Sequence, residues 1–201
     1  MRVVLASGNP GKLRELQTLL AGTDMELVAQ SELGIGAVKE TGLTLVENAL
    51  IKARHAASRS GLVAIADDSG LEVDALGGQP GVHSARYAGP DASDEDNNAR
   101  LLAEIAGVAS ERRTARYRCV LVLVRSATDP TPLVCEGVWE GHIAESSAGA
   151  HGFGYDPLFL VGDLGLTAAQ LTPSLKNQLS HRGQALRQLL AAIGTRGMAS
   201  T

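Results

Sequence analysis

The sequence predicts an α/β fold, because short apolar strand-like runs alternate along the chain with longer amphipathic helices. Leu62 to Ala66 is an apolar, β-branched run that is typical of a buried strand. Ala115 to Arg125 and Leu133 to Trp139 are long neighbouring runs that indicate an antiparallel hairpin. With 201 residues, 44% of them hydrophobic, the chain can form one domain or one domain with two lobes.

Composition and charge exclude several classes of function. The net charge of −4 argues against a nucleic-acid-binding surface, which needs a basic stripe. No apolar run approaches the ~18 residues of a membrane-spanning helix, and the N-terminus enters a strand pattern without a signal peptide. Cys119 and Cys135 lie in apolar runs, which favours buried, reduced thiols in a cytoplasmic protein over a disulfide or a metal site.

Two adjacent carboxylates mark the end of the central strand. Asp67 and Asp68 directly follow Leu62 to Ala66, and Ser69 and Gly70 predict a turn after them. Successive strand side chains point to opposite faces, so one aspartate can face a cleft while the other orders a loop or helix end. Clustered carboxylate oxygens suit Mg²⁺, and the alternative interpretation is an ordinary Asp-rich turn.

A glycine-containing loop joins the first strand, Arg2 to Ala6, to a helix with leucines on one face. Backbone N–H groups and a helix N-terminus in this arrangement can hold a phosphate, and Lys12 adds a point charge there. The loop is not a P-loop, because Ala6 replaces its first glycine and Leu13 replaces its Ser or Thr. The alternative is a plain strand-to-helix turn.

A second strand, Met25 to Ala29, is followed by a helix predicted from Leu45 to Ser60. Thr44 and Glu47 match a capping box, which gives Glu47 a structural role. Glu40 lies in the loop before the helix and has no such explanation. Asn48 and Lys52 are one turn apart, so they share a helix face that points either toward Asp68 or into water.

The second half of the chain contains three further elements. A helix is predicted from Asp94 to Ala106 with Ser93 as its cap. His142 to Glu145 is predicted to continue the second hairpin strand past a bulge at Gly141. A last helix opens at Thr172 and Pro173 and is predicted to run through Lys176 to about Ile193, with a tail over residues 195–201.

Two segments near the C-terminus carry side chains suited to a nucleotide. Gly152 to Pro157 places two glycines around an aromatic pair, whose rings can stack on a base or plug the core. Lys176, His181 and Arg182 are donors that suit an anionic or carbonyl-bearing ligand, although basic residues on a helix are usually a solvated face.

Taken together, these motifs resemble the inosine/xanthosine triphosphate pyrophosphatase family. The resemblance runs from about Arg2 to Ile193, and its quoted motifs are SGNPGK, ETG followed by ENA and KA, ADDSGLEVDALGGQPGVHSARYAG, FGYDP and KNQLSHRGQAL. The family hydrolyses deaminated purine nucleoside triphosphates such as ITP, dITP and XTP to the monophosphate and pyrophosphate. The DDSG segment with its extension, and the FGYDP and SHR pair, are highly specific.

The resemblance implies a fold and an assembly. We expect an elongated, two-lobed α/β domain over residues 1–194, built on a long mixed β-sheet with flanking helices and a central substrate cleft. The family also implies a homodimer in the cytoplasm. Its reaction, attack of water on the α-phosphorus, requires Mg²⁺ to neutralise the triphosphate and carboxylates to bind the metal and activate water.

The resemblance also implies a role for each matching residue. Asp68 matches the catalytic proton acceptor and a Mg²⁺ ligand, and Glu40 matches the second metal ligand, with Asp67 and Glu47 as neighbours. The residues that match substrate-binding positions are Ser7, Gly8, Asn9, Pro10, Gly11, Lys12 and Ser69 for the triphosphate, Phe153, Gly154, Tyr155 and Asp156 for the nucleoside, and Lys176, His181 and Arg182 for the purine and its 6-keto edge.

The implied selectivity has a physical basis. Hypoxanthine and xanthine present an acceptor at the 6-position, where adenine presents a donor amine. A pocket of donors therefore leaves adenine with donor facing donor, and unmatched buried polar groups discriminate strongly. One residue departs from the family pattern: Leu175 stands where an acid usually precedes Lys176, which weakens the helix start by up to ~1 kcal/mol.

Two rival functions remain open at this point. One keeps the fold but changes the substrate, for instance to a modified pyrimidine nucleotide. The other is a nucleotide-sensing module that binds without turnover. Release of pyrophosphate from ITP in the presence of Mg²⁺ separates these from the first hypothesis, and the presence of Asp68 with neighbouring acids favours an enzyme.

Overall fold

The computed structural model of the protein describes residues 1–195. The tail predicted for residues 195–201 therefore lies outside the described residues, except for Thr195, which ends a helix. No helix within residues 1–195 combines the length and the hydropathy needed to cross a membrane.

Strands and helices alternate through most of the described chain. The strands are β1 (Arg2–Leu5), β2 (Glu26–Ala29), β3 (Val63–Val73), β4 (Thr114–Val124), β5 (Leu133–Ile143) and β6 (Phe159–Leu160). The α-helices are α1 (Pro10–Leu20), α2 (Leu45–Ser60), α3 (Asp94–Glu104), α4 (Pro173–Leu179) and α5 (His181–Thr195).

Within the described residues the strands form one six-stranded sheet with the order β2-β1-β3-β4-β5-β6. Strand β1 pairs in parallel with both β2 and β3, whereas β5 and β6 are antiparallel. The predicted α/β class with a mixed sheet and flanking helices is confirmed.

The described chain divides into two compact units. Unit 1 contains Met1–Asp68, Cys119–Gly137 and residues 182–195. Unit 2 contains Ser69–Arg118 and Val138–His181.

The core of unit 1 follows from the two-residue period of its strands. Val3, Leu5 and Ile65 pack with the apolar faces of α1 and α5, in a cluster that also holds Cys119 and Cys135, which are buried and form no disulfide. The alternate residues of the same strands, such as Ala64 and Ala66, pack on the other side against α2. Successive side chains therefore belong to different helical layers.

Helix α2 meets the sheet through small side chains. Its buried residues against the sheet are Ala49, Ala53, Ala56 and Ala57. Thr44 and Glu47 form the predicted capping box at its start, and Gly61 ends it in the left-handed region at φ +68°. Ser93 and Asp96 cap α3 in the same way.

The prediction that the central strand ends at Asp67 is wrong. Strand β3 continues through Asp67, Asp68 and Ser69 to Val73. Nearby cations offset the cost of burying these carboxylates, so the strand can continue through them without turning toward solvent. Gly70 lies within this strand, and a larger residue would not fit there, because a Cβ would lie 2.2 Å from the carbonyl oxygen of Gly81.

The predicted bulge at Gly141 is also absent from the described chain. Strand β5 is continuous from Leu133 to Ile143, and buried residues alternate with more exposed ones along its whole length. Gly141 is required for packing, because a Cβ would lie 2.3 Å from the carbonyl oxygen of Leu160 and 2.7 Å from the ring of Phe159.

The single C-terminal helix of the prediction is two helices. Ser180 has the extended backbone φ −65°, ψ 156°, and separates α4 from α5. Thr172 caps α4 by accepting the N–H of Leu175 at 3.3 Å, without the acid that would complete a capping box. Lys176 therefore belongs to α4, whereas His181 and Arg182 begin α5.

We expect Gly141→Ala to lower the free energy of unfolding by about 1–3 kcal/mol, because the new methyl group overlaps a carbonyl oxygen and a buried ring. Urea unfolding followed by circular dichroism measures the change. Gly107→Ala is the matched control, since nothing lies within 4 Å of its Cβ position. Equal stability of the two variants would contradict the packing role of Gly141.

Candidate active site

The loop between β1 and α1 is organised by Asn9. The Oδ1 atom of Asn9 accepts the N–H groups of Gly11 at 2.8 Å and Lys12 at 3.1 Å, and Pro10 occupies the first turn of α1. The N–H of Asn9 donates to the Ser7 hydroxyl at 3.2 Å. The start of α1 is thus fixed, and Asn9 accepts two of the backbone N–H groups that the phosphate-binding hypothesis would use.

Asp67 is the centre of the first charged cluster in unit 1. Its carboxylate is fully buried and pairs with Lys12 of α1 through Oδ1 and with Arg182 of α5, whose Nε lies 2.7 Å from Oδ2. Arg182 also pairs with Glu15, and the Cys119 thiol donates to Asp67 at 3.2 Å. We call Asp67, Lys12, Arg182, Glu15 and Cys119 the Asp67 cluster.

In the Asp67 cluster the shifts in pKa keep Asp67 and Arg182 charged. Burial opposes ionisation of Asp67, but the charges of Arg182 and Lys12 outweigh it and hold the pKa of this carboxyl well below its usual range. Burial likewise opposes the charge of Arg182, but Asp67 and Glu15 raise its pKa. Burial and the charge of Asp67 raise the pKa of the Cys119 thiol, which therefore stays protonated.

Asp68 belongs to a second cluster, on the α2 layer. The ammonium of Lys52 lies 2.6 Å from Oδ1 of Asp68, 3.0 Å from Oε1 of Glu40 and 2.9 Å from the backbone oxygen of Asp67. We call Asp68, Glu40 and Lys52 the Asp68 cluster. Asp68 is only 7% exposed, and burial raises its pKa despite the nearby Lys52.

The chain before α2 is held so that Glu40 reaches this cluster. Asn48 is buried, and its Oδ1 accepts the N–H of Gly42 at 2.8 Å. Glu47 accepts the N–H groups of Leu43 at 2.7 Å and Thr44 at 2.9 Å, so its carboxylate caps the helix. The two acids near this helix therefore have different partners: Glu40 contacts Lys52, and Glu47 serves the backbone.

The oxygen atoms around Lys52 suit a hard divalent cation. Within residues 1–195 no three side chains of His, Cys, Asp or Glu come together as a metal site. Two carboxylates and one backbone oxygen do converge, however, and Mg²⁺ commonly takes one or two carboxylates while water and substrate phosphates complete its shell. The two carboxylates exceed the single Lys52 ammonium by one negative charge, which also favours a cation.

The predicted nucleoside-binding loop lies in unit 2 and is organised by Asp156. This buried carboxylate accepts the N–H of Phe153 at 2.9 Å and the ammonium of Lys176 at 2.5 Å. The Lys176 ammonium also lies 5.0 Å from the centre of the Phe153 ring. Gly152 has φ +78°, and a Cβ there would overlap the Asp156 carboxylate. We call Asp156, Phe153 and Lys176 the Asp156 cluster.

The other predicted substrate-binding residues have different surroundings. The buried Tyr155 ring belongs to the core of unit 2, and its hydroxyl donates to the Ser84 backbone oxygen at 2.8 Å. His181 is 4% exposed and stacks on Tyr117 with ring centres 4.6 Å apart. Ser69 is half-buried in β3, and Arg182 lies in the Asp67 cluster of unit 1.

Lys52 is the residue that sequence reasoning left outside the predicted site. Its signals were its spacing of one turn from Asn48 on the predicted helix and its place in the KA motif of the family resemblance. The interpretation that this face points toward Asp68, and away from water, is confirmed by the contact between Lys52 and Asp68. Asp67, by contrast, offers its backbone oxygen to Lys52 while its carboxylate joins the other layer.

Comparison with known proteins gives results that agree over nearly the whole chain. Residues 3–192 match the Ham1 family. A relative named dITP/XTP pyrophosphatase from Methylococcus capsulatus is 62% identical over 192 residues, which are 96% of each chain. Another of the same name, from Escherichia coli O157:H7, is 57% identical over 96% of this chain and 98% of its own.

Solved structures of similar proteins share the fold. A HAM1 protein from Coxiella burnetii is 47% identical, with a TM-score of 0.89 over 97% of this chain and 99% of that one. The Ham1 protein of Staphylococcus aureus is 40% identical, with a TM-score of 0.85 over 98% and 100%. These likenesses confirm the resemblance found in the motifs, and the chain therefore belongs to the Ham1 family.

Proposed function

We propose that the protein is a Mg²⁺-dependent nucleoside triphosphate pyrophosphatase that converts ITP, dITP and XTP to their monophosphates and pyrophosphate. The observation that carries the proposal is the Asp68 cluster, in which the carboxylates of Asp68 and Glu40 both contact the ammonium of Lys52. The relatives named dITP/XTP pyrophosphatase support the substrate class.

Glu40 and Asp68 are the side chains that would hold Mg²⁺. When bound, the ion would neutralise charge on the triphosphate. Lys52 keeps the two carboxylates close together, since its ammonium lies within 3.0 Å of an oxygen of each. The chain thereby supplies the donor set before any ligand arrives, which lowers the cost of ordering it.

Asp68 is the proposed proton acceptor for the attacking water. Burial raises its pKa, so it takes a proton more readily than an exposed aspartate. The water oxygen then forms a bond to the α-phosphorus, and the bond from that phosphorus to the oxygen of the departing pyrophosphate breaks. Lys52 stabilises the anionic form of Asp68 and so limits how far its pKa rises.

The loop from Ser7 to Lys12 is the proposed contact for the triphosphate. Asn9 shapes the loop, and the Ser7 hydroxyl and the Lys12 ammonium are the side-chain groups suited to phosphate oxygens. In the Asp67 cluster two cations face two carboxylates, so Lys12 is positioned without an excess of positive charge.

The Asp156 cluster is the proposed contact for the purine. An ammonium only donates hydrogen bonds, so Lys176 suits the 6-oxygen of hypoxanthine and opposes the 6-amino group of adenine. The Phe153 ring offers a surface on which a base can stack. A homodimer and a cytoplasmic location, both implied by the resemblance, remain predictions.

We expect Asp68→Asn to lower kcat for dITP by at least about 10²-fold, because the amide cannot accept the proton from water. Binding of IMP, measured by calorimetry, should stay within a few-fold of wild type. Asp24→Asn, an exposed acid of unit 1, is the control. A near-normal kcat for Asp68→Asn would refute its role as the base.

We expect Glu40→Gln to raise the Mg²⁺ concentration for half-maximal pyrophosphate release by about tenfold or more, because a metal-binding carboxylate is lost. Glu47→Gln is the matched control, since its carboxylate caps α2 and does not contact Lys52. Excess EDTA should abolish turnover, and added Mg²⁺ should restore it. An identical Mg²⁺ requirement in both variants would show that Glu40 does not hold the metal.

We expect Lys176→Met to narrow the ratio of kcat/KM for dITP over dATP by about tenfold, because the donor that opposes the adenine amine is removed. Methionine preserves much of the volume beside Phe153, and thermal unfolding checks that the variant is folded. Lys39→Met, at an exposed lysine, is the control. An unchanged ratio would mean that other groups read the base.

A further inference from the structure

Helix α3 holds both polar backbone groups of Gly154, a residue of the predicted nucleoside-binding loop. The N–H of Gly154 donates to Oδ2 of Asp94 at 2.6 Å, and its carbonyl oxygen accepts Nδ2 of Asn98 at 2.9 Å. Asp94 and Asn98 are one turn apart on α3, so they present their side chains to the same neighbour. Gly154 has φ +62°, which favours glycine at this point.

We propose that Asp94 and Asn98 are positioning residues that fix the Phe153 ring for the purine, an inference that rests on the proposed function. The backbone N–H of Phe153 donates to Asp156, and the backbone N–H of Gly154, the next residue, donates to Asp94. With both flanking peptides held, the backbone angles of Phe153 are restricted. The ring direction is restricted with them, since rotamer choice depends on the backbone.

The environment of Asn98 supports a positional role. Asn98 is 9% exposed, and within the described residues its Oδ1 has no hydrogen-bond partner. A buried acceptor without a partner costs stability. An apolar side chain would avoid that cost, so the gain from asparagine at this position is its Nδ2 bond to Gly154.

The start of α3 is rigid enough to act as the support. Ser93 and Asp96 form a capping box at the helix start. Asp94 lies in the first turn, directly after the cap, and Asn97 of the next turn accepts the N–H of Ala88 at 2.8 Å. The start of α3 is therefore held both by its own cap and by the preceding loop, and Asp94 and Asn98 project from this fixed segment toward Gly154.

A cavity of about 530 Å³ lies between α3 and this loop, and Asp94, Glu95, Asn98 and Phe153 are among its lining residues. The cavity offers another explanation for the acids, namely that their charge acts on a ligand directly. Glu95 distinguishes the two explanations. Both Glu95 and Asp94 line the cavity, but the acceptor of the Gly154 N–H is Asp94. Glu95→Gln is therefore the matched control.

The test compares wild type with Asp94→Ala, Asp94→Asn, Asn98→Ala and Glu95→Gln in the full chain. NMR of ¹⁵N-labelled protein measures amide exchange at Gly154, and steady-state kinetics give kcat and KM for dITP. For Asp94→Ala and Asn98→Ala we expect exchange about tenfold faster and KM about fivefold higher, with kcat within twofold. Asp94→Asn keeps an acceptor oxygen and should recover most of the loss, and Glu95→Gln should match wild type.

Several outcomes overturn the inference. Faster exchange at Gly154 in Asp94→Ala and Asn98→Ala with an unchanged KM would show that the contact exists but does not position the purine. The proposed function would still stand in that case, provided that wild type releases pyrophosphate from dITP. A KM increase in Glu95→Gln equal to that in Asp94→Ala would assign the effect to cavity charge. If wild type releases no pyrophosphate from dITP, the proposed function fails and this inference fails with it, whatever the exchange rates.

Discussion

The structure of unit 1 depends on burying two neighbouring carboxylates in one strand. A strand sends successive side chains to opposite faces, so the carboxylates of Asp67 and Asp68 form their ion pairs with different cations. Each pairs with cations from its own helical layer: Lys12 and Arg182 reach Asp67, and Lys52 reaches Asp68. Loss of one partner from such a buried pair typically costs about 3–5 kcal/mol, because a charge is left uncompensated. The ion pairs thereby connect β3 to α1, α5 and α2.

The two clusters differ in their charge balance, and this difference distinguishes the Asp67 cluster from the Asp68 cluster, which contains the proposed base. In the Asp67 cluster two cations meet two carboxylates, and the pKa of Asp67 is held low. In the Asp68 cluster one cation meets two carboxylates, and burial raises the pKa of Asp68. A balanced cluster has no net charge to attract a cation, whereas an excess of negative charge attracts a cation and favours proton uptake.

Local signals in the sequence predicted most of the helices and strands, because these signals depend on neighbours along the chain. The capping boxes at Thr44 and Ser93 are examples, since their partners lie three residues away. The continuation of β3 through Asp67 and Asp68 was missed because their compensating cations come from distant helices. The break at Ser180 was missed because neither a glycine nor a proline stands at or directly beside this position to mark the end of a helix.

Strand register links the fold to the proposed chemistry. In the parallel pairing of β1 with β3, Val3 lies opposite Val63 and Leu5 opposite Ile65. This register places Ile65 on the α1 and α5 layer, and Asp67, two residues later, on the same face. A slip of one residue would move Asp68 to the face of α1 and α5 and Asp67 to the face of α2. Asp68 would then lie away from Glu40 and Lys52. The apolar alternation that forms the core therefore also decides which aspartate lies beside Glu40 and Lys52, where the proposed base is placed.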